Sequence, residues 1–105
     1  MRVISQDGTI DMPYEMSIVW CEDDGCVLLQ PIGEIGEYQK FAKYSTEEKA
    51  KKAMEMLRIA YGNNEFYHHI SNSEHFTEFT KALSEEMFKK ATSEYFQFPA
   101  EEELE

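Results

Sequence analysis

Basic residues, cysteines and long hydrophobic runs are all scarce in this sequence of 105 residues. Ten lysines and arginines stand against 21 aspartates and glutamates, which gives a net charge of −11 at pH 7. A field of this sign repels nucleic acids and anionic membranes and attracts basic surfaces. The charge therefore argues against direct nucleic-acid binding. It leaves two interpretations open, attraction of a basic partner or a simple aid to solubility.

Membrane segments are missing as well. The longest apolar stretches, residues 17–21 and 26–29, are far shorter than the roughly 20 residues of a membrane helix. The N-terminal residues MRVISQDG lack the basic and then apolar layout of a signal peptide. We therefore expect no membrane contact and a cytoplasmic location, where Cys21 and Cys26 stay reduced. The two cysteines flank EDDG, and we expect them to face each other across a hairpin.

Residues that could bind a metal or perform catalysis are few and poorly spaced. His68 and His69 are adjacent, so on an extended segment they point to opposite sides, and His75 lies further on. Cys21 and Cys26 do not add the ligand spacing that is typical of zinc sites. No stretch resembles a nucleophile turn or a phosphate-binding glycine loop. The sequence therefore predicts no catalytic residue, no metal and no cofactor, with a small enzyme or metal protein as the weaker alternative.

The first 44 residues predict β-strands joined by tight turns. RVIS and TIDMPYE surround the turn sequence QDG, and MSIVWC and CVLLQP surround EDDG. PIGEIGE contains one proline and two glycines and predicts a loop, after which EYQKFAKY predicts a strand at a sheet edge. These links are too short for crossover helices, so the strands are expected to be antiparallel.

The stretch YSTEEKAKKAMEMLRIAYGNN predicts an amphipathic helix. Ser45 and Glu48 have the spacing of a capping box at the helix start, and Gly62 is a typical residue for the helix end. Between them, apolar residues recur at helical spacing and predict the buried side of the helix. This stripe consists of Ala50, Ala53, Met54, Leu57, Ala60 and Tyr61.

A second amphipathic pattern predicts another helix over residues 73–92. EYFQF, just before Pro99, predicts a last strand, and AEEELE at residues 100–105 predicts a frayed acidic tail. Both helices need an apolar surface, and the strand faces around Ile18–Trp20 and Val27–Leu29 can supply one. We therefore predict a single α+β domain over residues 1–105, with an antiparallel sheet of four to five strands and two helices packed on one face.

Three stretches of the sequence, MRVISQDGTIDMPYE, YSTEEKAKKAMEMLRIAY and FQFPAEEE, carry a family resemblance. They resemble a family of small proteins from Gram-positive bacteria and their phages or prophages, whose activity is not established. The resemblance does not extend over the middle segment, from HHISNSEHF to KKAT. It implies a phage or mobile-element origin and a strand-rich start followed by a helix. It implies no catalytic residue.

These observations predict a non-enzymatic accessory protein that binds another protein with a basic surface. An alternative is an acidic nucleic-acid mimic that inhibits a host nuclease or defence factor, which requires carboxylates at phosphate-like spacing on one face. A homo-oligomer stays open. Exposed carboxylates cost the core nothing in loops and at termini. The candidate partner-binding residues there are Asp23, Asp24, Glu34, Glu37, Glu101, Glu102 and Glu103.

Overall fold

The computed structural model describes residues 1–34, 36–70 and 94–104. Two short 3-10 helices, Tyr14–Met16 and Glu101–Leu104, accompany the regular elements. The regular elements are β1 (Arg2–Ile4), β2 (Asp11–Pro13), β3 (Ser17–Cys21), β4 (Cys26–Pro31), β5 (Gln39–Lys43), α1 (Glu47–Ile70) and β6 (Tyr95–Gln97). The α+β class is confirmed. The predicted second helix lies outside the described residues.

The strands form two sheets of three strands, so the predicted single antiparallel sheet of four to five strands is wrong. One sheet has the order β3–β4–β5 and is antiparallel throughout. The other has the order β2–β1–β6, in which β1 is antiparallel to β2 and parallel to β6. Since β1 and β6 lie at opposite ends of the chain, no local sequence pattern predicts that they pair.

A β-bulge shapes the edge strand β5. Val27 is opposite Ala42 while Leu28 is opposite Lys40, which leaves Phe41 as the extra residue. Phe41 and Ala42 are consequently both buried, although they are neighbours in sequence. The bulge explains why EYQKFAKY shows no clean alternation. The predicted edge position of this strand is confirmed.

The core lies between α1 and one face of the β3–β4–β5 sheet, and the other sheet and the C-terminal residues complete it. The predicted helical stripe supplies Ala50, Ala53 and Leu57, all of which are fully buried. The cluster consists of Val3, Val27, Leu29, Phe41, Ala42, Tyr44, Ala50, Ala53, Leu57, Phe98 and Leu104.

Helix α1 starts one residue later than its sequence pattern predicts. The Thr46 hydroxyl oxygen accepts a hydrogen bond from the backbone N–H of Lys49 at 3.2 Å, which makes Thr46 the N-cap. The predicted capping box of Ser45 and Glu48 is therefore wrong. The backbone N–H of Ser45 donates instead to the carboxylate of Glu101, so Ser45 belongs to the contact between the helix entrance and the C-terminus.

Gly62 lies inside α1 and does not end the helix as predicted. Tertiary contacts hold the turns around it. The ring of Tyr61 lies 4.5 Å from that of Tyr14, and the buried Asn64 side chain donates to Glu94 at 3.5 Å. These contacts outweigh the roughly 1 kcal/mol that glycine costs inside a helix.

Residues 100–105 do not form the predicted frayed tail over their described part. Glu101–Leu104 is a 3-10 helix, and Leu104 belongs to the core cluster with 4 % of its surface exposed. The ammonium group of Lys52 donates to the carbonyl oxygen of Leu104 at 3.0 Å. The single leucine of AEEELE thus anchors the acidic segment to α1.

Candidate functional site

The β3–β4–β5 sheet has a second face, directed away from α1. Side chains alternate between the two faces of a strand, and cross-strand partners share a face. Val19 packs against the core, so its neighbours Ile18 and Trp20 point to the opposite side. Their partners on β4, Gln30 and Leu28, lie with them.

The same alternation extends this surface beyond the strand ends. The N–H of Ile32 donates to the carbonyl oxygen of Met16 at 2.9 Å, which continues the β3–β4 ladder by one pair. Tyr38 precedes β5, and its ring contacts that of Trp20 with a centroid distance of 6.0 Å. We call this surface the outer face, and its apolar residues are Met16, Ile18, Trp20, Leu28, Ile32 and Tyr38.

Large apolar side chains on the outer face are unusually exposed. Their exposed fractions are 59 % for Met16, 48 % for Ile18, 56 % for Ile32 and 56 % for Tyr38. Trp20 is half-buried, and Leu28 is buried although it lies outside the core cluster. A contiguous exposed apolar patch of this kind marks an interaction surface in soluble proteins.

Acidic residues lie at both ends of the outer face. The hairpin between β3 and β4 carries Glu22 and Asp23 beyond Trp20, whose indole N–H donates to Glu22 at 3.4 Å. At the other end, the loop between β4 and β5 carries Glu34 and Glu37. All four carboxylates are exposed. The two ends are about 20 Å apart, since each strand residue adds roughly 3.3 Å. Three of the predicted residues, Asp23, Glu34 and Glu37, thus flank one apolar surface.

Asp24 is engaged within its own turn. Its carboxylate accepts a hydrogen bond from the backbone N–H of Cys26 at 3.0 Å, and the ammonium group of Lys43 lies 4.0 Å away. The hydrogen bond from Cys26 holds the pKa of the Asp24 carboxyl below its ordinary value. Asp24 therefore shapes the hairpin that presents Asp23.

The C-terminal candidates lie beside the first turn of α1 and not with the outer face. Besides accepting from Ser45, Glu101 has the ammonium group of Lys49 at 3.9 Å, and the bond from the Ser45 N–H lowers its pKa. Glu103 accepts from the backbone N–H of Ala100 at 3.3 Å. Glu102 is exposed. The predicted acidic residues therefore occupy two separate places.

An open groove of about 580 Å³ lies between α1 and the Cys21 end of β3. Its apolar lining comes from Cys21 and Met54. Three basic residues and two acidic ones surround it, which makes it a locally basic surface on an acidic protein. These charged residues are Glu48, Lys51, Lys52, Glu55 and Arg58.

Within the described ranges, no group of three or more His, Cys, Asp or Glu side chains could hold a metal ion. One ring nitrogen of His68 lies 3.1 Å from the carboxylate of Glu94, which is an ion pair when the imidazole is protonated. His75 lies outside the described residues. The absence of metal and of catalysis stays a prediction.

The two cysteines are not cross-strand partners, contrary to the prediction. Cys21 is opposite Val27, and Cys26 is opposite Lys43 of β5. The N–H of Glu22 donates to the carbonyl oxygen of Cys26 at 2.8 Å, so the hairpin closes one residue later than expected and the ladder shifts. Both thiols are free.

Among the described residues, no helix has both the length and the apolar character that crossing a membrane requires. Comparisons of the chain with protein-family models, with curated proteins and with solved structures find no match. The outer face and the groove are therefore interpreted from their geometry and charge.

The outer face is an exposed apolar surface that the sequence prediction missed. We expected Ile18–Trp20 and Val27–Leu29 to cover helices, whereas only one side of these strands packs on α1. Strands with one solvated face alternate between apolar and polar residues. SIVWC and CVLLQP are instead apolar at consecutive positions. That run is the signal, because it makes both faces of the sheet apolar.

Proposed function

We propose that the protein is a non-enzymatic module that binds another protein through the outer face. The observation that carries this proposal is the set of large, half-exposed apolar side chains between two acidic ends. The proposed partner offers an apolar contact surface with lysine or arginine residues on both sides of it. A phage or mobile-element origin is proposed on the sequence resemblance alone.

The two components of the outer face have different physical roles. Apolar surface removed from water contributes about 25 cal/mol per Å², and aromatic residues such as Trp20 and Tyr38 are typical centres of binding energy. Carboxylates on the rim contribute mainly to the rate and specificity of association, because they attract basic partners from a distance. The arrangement of apolar centre and charged rim is that of protein–protein interfaces.

Pairing of carboxylates with cations elsewhere supports a protein partner over nucleic-acid mimicry. The carboxylates of Asp11 and Glu47 lie 2.7 and 2.9 Å from basic groups of Arg2 and Lys51. The terminal ammonium group lies 2.7 Å from Glu15. These pairs interrupt the run of negative charge that a mimic of the phosphate backbone needs.

The test uses the full chain as immobilised bait in a lysate of the organism that carries its gene. Ile18→Ser combined with Ile32→Ser removes apolar surface from the outer face. Ile59→Ser is the matched control, since Ile59 is 56 % exposed on α1. We expect the wild type and the control to capture the same protein in stoichiometric amounts. The double variant is expected to retain roughly a tenth or less of it, as a loss of about 1.4 kcal/mol or more would produce.

Two results contradict the proposal. One is capture that the double variant leaves unchanged. The other is capture that the Ile59→Ser control abolishes as well, because the contact surface is then α1. Circular dichroism and a thermal melt of each variant show that the comparison concerns folded proteins.

A further inference from the structure

Strand β3 is an edge strand, and its ladder to β4 fixes which backbone groups face outward. Two hydrogen bonds define the pairing pattern of this ladder. The N–H of Ile32 donates to the carbonyl oxygen of Met16, and the N–H of Glu22 donates to the carbonyl oxygen of Cys26. In an antiparallel ladder, hydrogen-bonded pairs recur at every second residue. The even-numbered residues of β3 therefore bond to β4. The backbone groups that point away from β4 belong to Ser17, Val19 and Cys21.

Within the described ranges, these outward groups are open over most of the strand. The N–H of Ser17 donates to the carbonyl oxygen of Tyr14, which closes the start of the edge. In the part of the chain that the structure describes, the outward N–H and C=O groups of Val19 and Cys21 have no backbone partner. A free strand edge of this kind is a template for pairing with another chain.

The opposite edge of the same sheet is protected. There, Gln6 donates its N–H to the carbonyl oxygen of Phe41 at 2.7 Å and accepts from the N–H of Lys43 at 3.0 Å. The bulge and the lysines of β5 further disfavour pairing. Among the described residues, no segment pairs with the outward edge of β3, and its ladder to β4 has no bulge. Its sequence SIVWC also lacks proline and charge. The contrast indicates that the β3 edge is kept available.

Space for an additional strand exists on both sides of this edge. Side chains of an added strand alternate, so half would point toward α1 and half would continue the outer face. The groove of about 580 Å³ beside Cys21 and Met54 can receive apolar side chains of the first set, whereas Lys51, Lys52 and Arg58 disfavour basic side chains there. The second set would extend the apolar surface next to Ile18 and Trp20.

Charge decides what the added strand can be. A second copy carries the same net charge of −11. Symmetric pairing of two β3 strands about Val19 would also place Asp23 opposite Glu15 of the second copy. Glu22 and Asp23 follow the Cys21 end of β3, and Glu34 and Glu37 lie in the loop next to its Ser17 end, where Ser17 pairs with Pro31. These exposed carboxylates favour a segment with basic ends.

We propose that β3 pairs with an extended segment of the protein partner, which has β-branched or apolar residues in its centre and Lys or Arg beyond each end. This inference rests on the proposed function and gives the mode of binding. The segment adds a fourth strand to the β3–β4–β5 sheet, so backbone hydrogen bonds supply affinity and alternate side chains supply specificity.

Amide hydrogen exchange followed by NMR tests the proposal on the full chain. In the free, dilute protein we expect exchange at Val19 and Cys21 to be at least about tenfold faster than at Ile18 and Trp20, whose amides bond to β4. The probe is the peptide KKTVTVTKK at millimolar concentration. We expect it to slow exchange at Val19 and Cys21 by about tenfold or more.

Two matched peptides serve as controls. The first is EETVTVTEE, which keeps the strand-forming centre and reverses the charge, and it is expected to have no effect. The second is KKTVTVTKK with its five central amides N-methylated. It keeps the charge and cannot donate to β3, so it is also expected to leave the exchange rates unchanged.

Several outcomes overturn the proposal. Slow exchange at Val19 and Cys21 in the dilute free protein means that the edge is already covered. If exchange at Val19 and Cys21 slows as the protein concentration rises, with no peptide present, the edge pairs with a second copy of the chain. The proposal is also contradicted if KKTVTVTKK leaves exchange at the two amides unchanged. It is contradicted as well if EETVTVTEE slows exchange at them equally. If the Ile18 and Ile32 variant still loses its partner in that case, only the strand-addition mode fails and the outer face stands.

Discussion

Gly25 allows the β3–β4 hairpin to contact the segment that leads into α1. Its φ is +90°, and a Cβ atom there would collide with the carbonyl oxygen of Tyr44. The N–H of Tyr44 donates to the Gly25 carbonyl at 2.9 Å, and its hydroxyl donates to the carbonyl of Pro99 at 2.8 Å. Burial of the Tyr44 phenol raises its pKa. One tyrosine thus joins the hairpin, the helix entrance and the C-terminal segment, and it holds Asp23 at a defined end of the outer face.

Thr46 is the residue whose side chain stabilises the start of α1, and substitution tests this role. Thr46→Ala removes the oxygen that accepts from Lys49 and is expected to lower the free energy of unfolding by about 1 kcal/mol. Thr46→Ser keeps that oxygen and is the control. Urea unfolding provides the measurement. Equal losses for the two variants, or no loss for Thr46→Ala, would assign the cap to another residue.

Among the helices and strands, the sequence predicted correctly those features that depend on interactions between residues close together in the chain. The stripe containing Ala50, Ala53 and Leu57 and the turn around Gly25 are confirmed, because helical periodicity and turn chemistry act over a few residues. The parallel pairing of β1 with β6 and the passage of α1 through Gly62 were not predictable in this way. Both depend on contacts between distant segments, such as the one between Asn64 and Glu94.

The packing of α1 against the sheet predicts a large difference between two neighbouring positions. Leu57 is 1 % exposed in the core cluster, so Leu57→Ala is expected to cost about 2–5 kcal/mol of unfolding free energy. Ile59 is more than half exposed, so Ile59→Ala is expected to change it by less than about 0.5 kcal/mol. Chemical denaturation of both variants checks this. Similar values for the two would mean that α1 presents a different side to the sheet.

At the scale of the whole molecule, the negative charge is distributed in two ways. Turn and loop signals were enough to predict that Asp23, Glu34 and Glu37 are exposed, because those signals are local. The engagement of Glu101 with the entrance of α1 was not predictable, since it depends on how the C-terminal segment folds back. The apolar outer face between the exposed carboxylates could not be predicted without knowing the register of β3 on β4. This register places Asp23 at one end of the outer face and Glu34 and Glu37 at the other.

We propose that the acidic rim of the outer face attracts a basic protein partner, and the salt dependence of the association rate measures this attraction. The measurement is the association rate constant of the captured partner, determined by stopped flow between about 20 and 200 mM salt, over which screening shortens to less than 10 Å. The test variant combines Glu34→Gln with Glu37→Gln. The control combines Glu65→Gln with Glu102→Gln, which removes the same charge from two exposed residues outside the outer face. We expect the wild-type and control rates to fall by roughly tenfold or more over this range and the rate of the test variant to fall much less. A wild-type rate that is indifferent to salt, or equal slopes for the two variants, would contradict the claim.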